Sequence, residues 1–258
     1  MMFRRDARAR SQLDSGLDAT KVAVGDRGSV LPLVLALDTS LSMEGEAIAV
    51  VNDTLAKTAE ELHRNPSFKY TVRVATITFG CDGVLLWKSN RIVGPDEDPF
   101  VDAADWHPPV LRAAGVTPLA EAVTLAVKCV EEEKQRLRAA RRLYNRPVIW
   151  LWSDGVPTDA SGNYDERWMD LLPRLSRSER KFRLYALYPP TIEPQGRAAL
   201  EQLTSYAWRL DQFAFSDVLP LLSASMSSAS ADPSAQDDEI QQTYDAIVMG
   251  RMSRGATR

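Results

Sequence analysis

Hydrophobic positions along this chain alternate between two patterns. Some short runs are apolar throughout, and some longer stretches carry apolar residues every three or four positions. The first short run, Val30 to Leu37, reads VLPLVLAL. A run this short and this uniformly apolar predicts a strand buried on both faces, as inside a parallel sheet. Between Glu46 and His63 the residues Ile48, Val51, Leu55, Ala59 and Leu62 recur at helical spacing, while Lys57, Glu60 and Glu61 occupy the other face. That pattern predicts an amphipathic helix, closed by Asn65-Pro66. Tyr70 to Phe79 is rich in β-branched and aromatic residues and predicts a strand. After Gly80 to Gly83 the chain returns as a second strand over Val84 to Trp87, with Asp82-Gly83 as the hairpin signal. One antiparallel edge strand is therefore expected on an otherwise parallel sheet.

Residues 90–116 hold Gly94, Pro95, Pro99, Pro108, Pro109 and Gly115 and are expected to be irregular; connections this long are usually functional. A helix follows from Thr117-Pro118, with Leu119, Ala122, Val123, Ala126, Val127 and Val130 on one face, continuing through the charged run Glu131 to Arg142 as a solvated face. Pro147 to Trp152 is a second short buried strand that stops at Ser153-Asp154-Gly155. Then come a helix within Tyr164 to Arg180, a strand from Phe182 to Tyr188, a short helix from Gly196 to Ser205, a weak strand from Ala207 to Leu210 and a helix opening at Ser216 to Leu222. This order predicts an α/β sandwich with helices on both faces of a mostly parallel sheet. Residues 1–29 read as a flexible arm, 30–222 as one domain, and 223–258 as a Ser/Ala-rich linker and tail. In the tail, Ile240, Tyr244, Ile247 and Val248 have the spacing of a small amphipathic helix.

Composition narrows the function classes. The 258 residues are 45% hydrophobic and 26% charged, as in ordinary globular domains. A net charge of −4 argues against a dedicated nucleic-acid binder. No apolar stretch approaches the roughly 18 residues of a membrane helix. Met1 to Arg10 is basic but has no apolar segment behind it, so no signal peptide is expected. Cys81 and Cys129 are too few for a disulfide framework and read as reduced thiols of a cytoplasmic protein. His63 and His107 have no Cys, Asp or second His at ligand spacing and read as surface or loop residues. Trp106, inside the long loop, either packs beneath it or anchors an interface.

The chemistry collects at predicted strand ends. Asp38, Ser40 and Ser42 follow the first strand, Thr117 stands before a helix, and Asp154 closes a later strand. Ligands in such sheets sit beyond the carboxyl ends of the strands. An extended loop would point Asp38, Ser40 and Ser42 the same way. The set is all oxygen, which suits a hard dication such as Mg²⁺. Hydroxyls coordinate without neutralising, so a cation held this way keeps charge and a water that a foreign Asp or Glu can displace. Each piece also has a purely structural explanation. Thr117-Pro118 is a common helix start, Ser42 can cap the helix at Glu46, and Asp154-Gly155 can be a turn.

With these five residues in this order, the sequence resembles a von Willebrand factor type A (vWA) domain. The family's metal-ion-dependent adhesion site (MIDAS) reads Asp-x-Ser-x-Ser, then a distant Thr, then a distant Asp, and Asp38, Ser40, Ser42, Thr117 and Asp154 match it. The likeness runs from Leu31 to Leu222. Leu41 stands where many bacterial members have Gly, which bears on the loop backbone and removes no ligand. The resemblance implies a Rossmann-like three-layer sandwich and a non-enzymatic protein-interaction module, with Mg²⁺, or Mn²⁺ or Ca²⁺, completed by a partner's carboxylate. A narrower likeness, to the bacterial TerY-like subgroup of tellurium resistance, is carried by DTSLSMEGE at 38–46, ATITFG at 75–80, TPLAEA at 117–122 and SDGVPTD at 153–159. It implies a stress-response or signalling role beside a protein kinase and a PP2C-type phosphatase.

Two rival classes remain. A metal-dependent phosphoester hydrolase could use Asp38, but Ser40 stands where a haloacid-dehalogenase-type enzyme needs its second carboxylate. The sequence has no G-x-S-x-G, no phosphate loop and no G-x-G-x-x-G. The other rival is a structural scaffold whose site stays empty.

Overall fold

The computed structural model describes residues 29–80, 82–178 and 181–209, together with Gln242, Thr243, Asp245 and Ala246, which are helical. Strand β1 is Leu31–Thr39, and all nine of its residues are buried. Side chains alternate across a strand. Leu31, Leu33, Leu35 and Leu37 accordingly enter one core, and Val34 and Ala36 enter the core on the opposite face. This explains why the run is apolar throughout rather than alternating.

Helix α1 (Glu46–Arg64) covers the leucine face through Val51, Leu55, Ala59 and Leu62. A single-turn helix, α2 (Pro66–Lys69), follows, started by Asn65 capping Ser67. Strand β2 (Val72–Gly80) runs parallel to β1. Gly80 pairs with Gly83, closing the expected hairpin into β3 (Gly83–Lys88), and Gly83 takes φ of 75°.

The antiparallel edge extends further than the sequence suggests. Within residues 90–116, β4 (Arg91–Val93) pairs with β3, and β5 (Val101–Asp102) pairs with β2. Both strands are too short to leave a periodicity, and tertiary pairing decides them. Arg73 of β2 ties this region down. Its guanidinium bonds Glu133, Asp98 Oδ2 at 3.1 Å and the Phe100 carbonyl at 3.1 Å.

Helix α3 (Leu119–Ala139) covers the opposite face of the sheet with the predicted residues and stops before Arg142. It is followed by β6 (Val148–Trp152), a 3-10 turn at Arg167–Leu171, α4 (Leu172–Ser178), β7 (Arg183–Tyr188), α5 (Pro194–Leu203) and β8 (Ala207–Arg209). Leu175 of α4 and Ala199, Leu200 and Leu203 of α5 join α3 on that face. The predicted helix within Tyr164 to Arg180 is thus part 3-10 and part α.

The main path of the sheet is β4-β3-β2-β1-β6-β7-β8, with β1, β2, β6, β7 and β8 mutually parallel. This is the mostly parallel, antiparallel-edged α/β sandwich that the sequence predicts. Chain order reverses between β1 and β6, and a crevice opens at such a switch point beyond the strand ends. Among the described residues no helix is long and apolar enough to cross a membrane. The arm before Ser29, the helix expected at Ser216 to Leu222 and the linker at 223–236 lie outside the described residues, as does most of the predicted tail helix.

Candidate metal centre

Asp38 is the last residue but one of β1, and Ser153 follows the last residue of β6. Leu37 pairs with Trp152 in the sheet, so the next step of the register brings Asp38 beside Ser153. The Ser153 hydroxyl donates to Asp38 Oδ2 at 2.5 Å, and the Ser40 N–H donates to Asp38 Oδ1 at 2.8 Å. Ser40 Oγ stands 3.0 Å from Ser42 Oγ, and Ser42 Oγ donates to Asp154 Oδ1 at 2.7 Å. Four of the five predicted residues therefore form one cluster of oxygens at the switch point.

Thr117 reaches the same cluster through Gly155. A Cβ built on Gly155 would lie 2.6 Å from Thr117 Oγ1 and 3.3 Å from Ser42 Oγ. Only glycine admits this approach. The Thr117 backbone is fixed by Thr158, whose Oγ1 accepts the Thr117 N–H at 2.8 Å and whose N–H donates to the Thr117 carbonyl at 2.9 Å.

Two of the structural explanations do not hold, while the chain does bend at Gly155. Helix α1 is capped by Gly45 at φ of 87°, and the Ser42 hydroxyl is turned to Asp154 instead. The cap position of α3 is Pro118, with no side-chain capping bond, which leaves the Thr117 hydroxyl to the site. One expectation needs correcting: the loop is not extended. Leu41–Met43 forms a 3-10 turn, and the turn folds Ser42 back onto Ser40.

Burial raises the Asp38 carboxyl from the usual 3.8 to about 7, partly offset by the bonds from Ser153 and Ser40, with the nearby Asp154 charge adding to the rise. Asp154 is raised too, by burial, offset by Ser42. The leading causes of both shifts are burial and hydrogen bonds, not a neighbouring cation. The site holds two buried carboxyls whose ionised forms burial disfavours.

The donor set fits a hard dication. Adjacent ligands around octahedral Mg²⁺, at about 2.0–2.1 Å from the ion, stand about 2.9 Å from one another. The Ser40–Ser42 and Ser42–Asp154 separations of 3.0 and 2.7 Å match that spacing, although hydrogen bonds alone also produce it. Among the described residues no three His, Cys, Asp or Glu side chains are placed to hold a metal, so an ion here would need hydroxyl, carbonyl or water oxygens as well.

Sequence reasoning gave no role to Ser153 or Thr158 and read Gly155 only as part of a turn, although all three lie in the SDGVPTD stretch. It also missed the meeting of His63 and His107, whose rings lie 5.2 Å apart. Trp106 packs beneath the loop, fully buried. Cys129 is buried, which pushes its thiol up to about 12 and keeps it protonated and inert. The end of the irregular segment 90–116 and the segment after Gly155 both adjoin the cluster. Gly115 accepts from Leu41 N–H at 3.1 Å, Thr39 accepts from Ala114 N–H at 2.8 Å, and Thr158 pairs with Thr117.

No protein-family model and no curated protein matches the chain. Among solved structures, the pilus adhesin SpaC of Lactobacillus rhamnosus GG in its open conformation is similar over 86% of this chain and 30% of its own, at 14% identity and a TM-score of 0.48. This chain thus spans less than a third of that protein's length. The vWF domain of the type V pili tip protein Mfa5 from Porphyromonas gingivalis is similar over 80% of this chain and 99% of its own, at 8% identity and a TM-score of 0.46. The manganese-loaded TRAP protein of Plasmodium vivax is similar over 75% and 72%, at 14% identity and a TM-score of 0.40. At identities of 8–14% and TM-scores of 0.40–0.48, these likenesses lend this chain no function, and its fold class stands on its own strand order and layers.

Proposed function

We propose that this chain is a vWA-type, divalent-metal-dependent protein-binding module with a MIDAS-like site. Asp38, Ser40, Ser42, Thr117 and Asp154 would hold the ion. The observation that carries this reading is the continuous chain of oxygens from Asp154 through Ser42 to Ser40 at the switch point, with Asp38 and Thr117 alongside. Once bound, Mg²⁺ (or Mn²⁺ or Ca²⁺) would supply an under-neutralised charge that a partner's Asp or Glu completes. Asp38 and Asp154 supply the negative charge, and the three hydroxyls orient without cancelling it. Ser153 holds Asp38 in place, and Gly155 lets Thr117 approach. The loops 90–116 and 156–164 would form the rim that meets the partner.

The motif likeness to TerY-like proteins supports a narrower reading: a cytoplasmic, non-enzymatic component of a bacterial stress-response or signalling system, working with a protein kinase and a PP2C-type phosphatase. Titration calorimetry of Mg²⁺ against the wild type and Asp38→Ala tests the site. Binding in the wild type and none in the variant supports it, and equal heats in both would remove the metal. Capture of the kinase and phosphatase with and without EDTA tests the partners. Retention after chelation points away from a carboxylate held through the ion.

A further inference from the structure

The chain has two histidines in 258 residues, and the fold brings them together. His63 lies in the last turn of α1 and His107 in the loop after β5, with ring centroids 5.2 Å apart. They lie 44 residues apart in sequence and belong to no part of the oxygen site.

Both are held from behind. His63 Nε2 is 2.9 Å from the Trp106 carbonyl. A carbonyl only accepts, so this nitrogen carries the proton, and the neutral ring keeps its lone pair on Nδ1. Such a bond from the second ring nitrogen to a backbone carbonyl is how metal-ligating imidazoles are commonly oriented. Trp106 is itself fixed: it is fully buried, and its indole N–H donates to Thr76 Oγ1 at 3.2 Å. Ser89, in a left-handed turn at φ of 57°, holds the other imidazole's backbone. Its hydroxyl accepts from the His107 N–H at 2.8 Å and lies 3.2 Å from the carbonyls of Asp105 and His107. His107 is exposed and Pro108 follows it, so the ring stands in solvent on a restrained backbone.

We propose that His63 and His107 form a second, independent site for a borderline transition-metal dication of the Zn²⁺, Cu²⁺ or Ni²⁺ class. Imidazole nitrogens suit these ions, whereas the oxygen site suits hard ones. With Zn–N bonds of about 2.0–2.1 Å and a tetrahedral angle, two imidazoles sharing an ion have centroids about 5 Å apart. Among the described residues no third His, Cys, Asp or Glu completes a cluster, so water fills the remaining positions and the ion exchanges readily.

The rings stand at 67° to each other, and an edge-on aromatic contact also produces this separation. Titration separates the two. The untagged chain, saturated with Mg²⁺, is titrated with Zn²⁺ by calorimetry. The same chain loaded with Cu²⁺ is read by electron paramagnetic resonance for nitrogen hyperfine splitting. One Zn²⁺ per chain is expected, weakened at least tenfold by His107→Ala and by His63→Gln, which keeps a donor for the Trp106 carbonyl. The copper spectrum should fall from two coupled nitrogens to one in each variant. Absence of Zn²⁺ binding in the wild type, or an unchanged affinity in either variant, overturns the proposal and leaves a ring contact alone. Mg²⁺ binding should be the same in all three proteins.

Discussion

Ser153 Oγ donates to Asp38 Oδ2 at 2.5 Å, across the pair of strands between which the chain order reverses. The bond ties down one carboxylate oxygen and partly offsets the burial that raises Asp38. A hydrogen bond to a charged group contributes about 1.5–3 kcal/mol. Ser153→Ala should therefore weaken Mg²⁺ at neutral pH by roughly tenfold or more. Calorimetry reads this directly, and an unchanged affinity would show that Ser153 does not position Asp38.

The Asp38 carboxyl also sets a pH dependence. Its folded value, about 7, is above the ordinary 3.8, so the metal-free fold binds a proton that the unfolded chain releases. The stability contributed this way is complete below the unfolded value and is lost as pH rises through about 7. Mg²⁺ competes with that proton, so its affinity should rise across the same window, by up to about tenfold per pH unit. Asp38→Asn, which cannot ionise, should raise the metal-free melting temperature above pH 7 and abolish the rise that Mg²⁺ produces. Melting curves with and without Mg²⁺, from about pH 5 to about pH 8, give both results. A variant that melts below the wild type at high pH contradicts the assignment.

Gly155 leaves no space for a side chain. A methyl group there would press on Thr117 Oγ1 at 2.6 Å. Gly155→Ala should cost about 1–3 kcal/mol by overpacking and reduce Mg²⁺ affinity at least tenfold. Adding Thr117→Ala removes both atoms that the methyl meets on that residue, so stability should recover while cation binding does not. Denaturant unfolding and calorimetry on the single and double variants separate the two effects.

Away from the site, the Arg73–Glu133 pair joins β2 to α3, with the Glu133 side chain fully buried. Burial, joined by the Asp98 charge, raises the Glu133 carboxyl more than Arg73 and Arg136 lower it, so the ionised group depends on both arginines. Arg73→Met should destabilise by roughly 3 kcal/mol, because it leaves a buried charge short of a partner. The double variant Arg73→Met with Glu133→Leu should recover most of that loss. Urea unfolding midpoints decide it, and simple additivity of the two changes would show that the pair is not coupled.

Much of this molecule is legible in one dimension. Uniform apolar runs identified β1 and β6, because strands buried on both faces leave no alternation, and β7 was legible from its aromatic and aliphatic residues despite Arg183. Helical spacing placed α1 and α3. The short strands β4 and β5 were not legible, since two or three residues carry no period and form only against a sheet that already exists. The oxygen donors were visible as residue types, but their competing local roles were not separable. Ser42 could have capped α1, and the geometry at Gly45 decided otherwise. Ser153 lay in plain view without a role and Gly155 as a turn residue only, because their importance is a distance to Asp38 and Thr117 rather than a property of their neighbours.

By itself, the sequence determined where strands end and which oxygen-bearing side chains wait there, since burial on two faces and helical periodicity are local patterns. Only the tertiary structure decided which of those side chains meet. The parallel register of β1 against β6 carries Asp38 to Ser153 across 115 positions, and the packing of the loop after β5 on α1 carries His107 to His63. Such meetings depend on how strands are ordered in the sheet, and contacts between distant positions leave no local pattern, while closing loops this long adds little extra entropy cost.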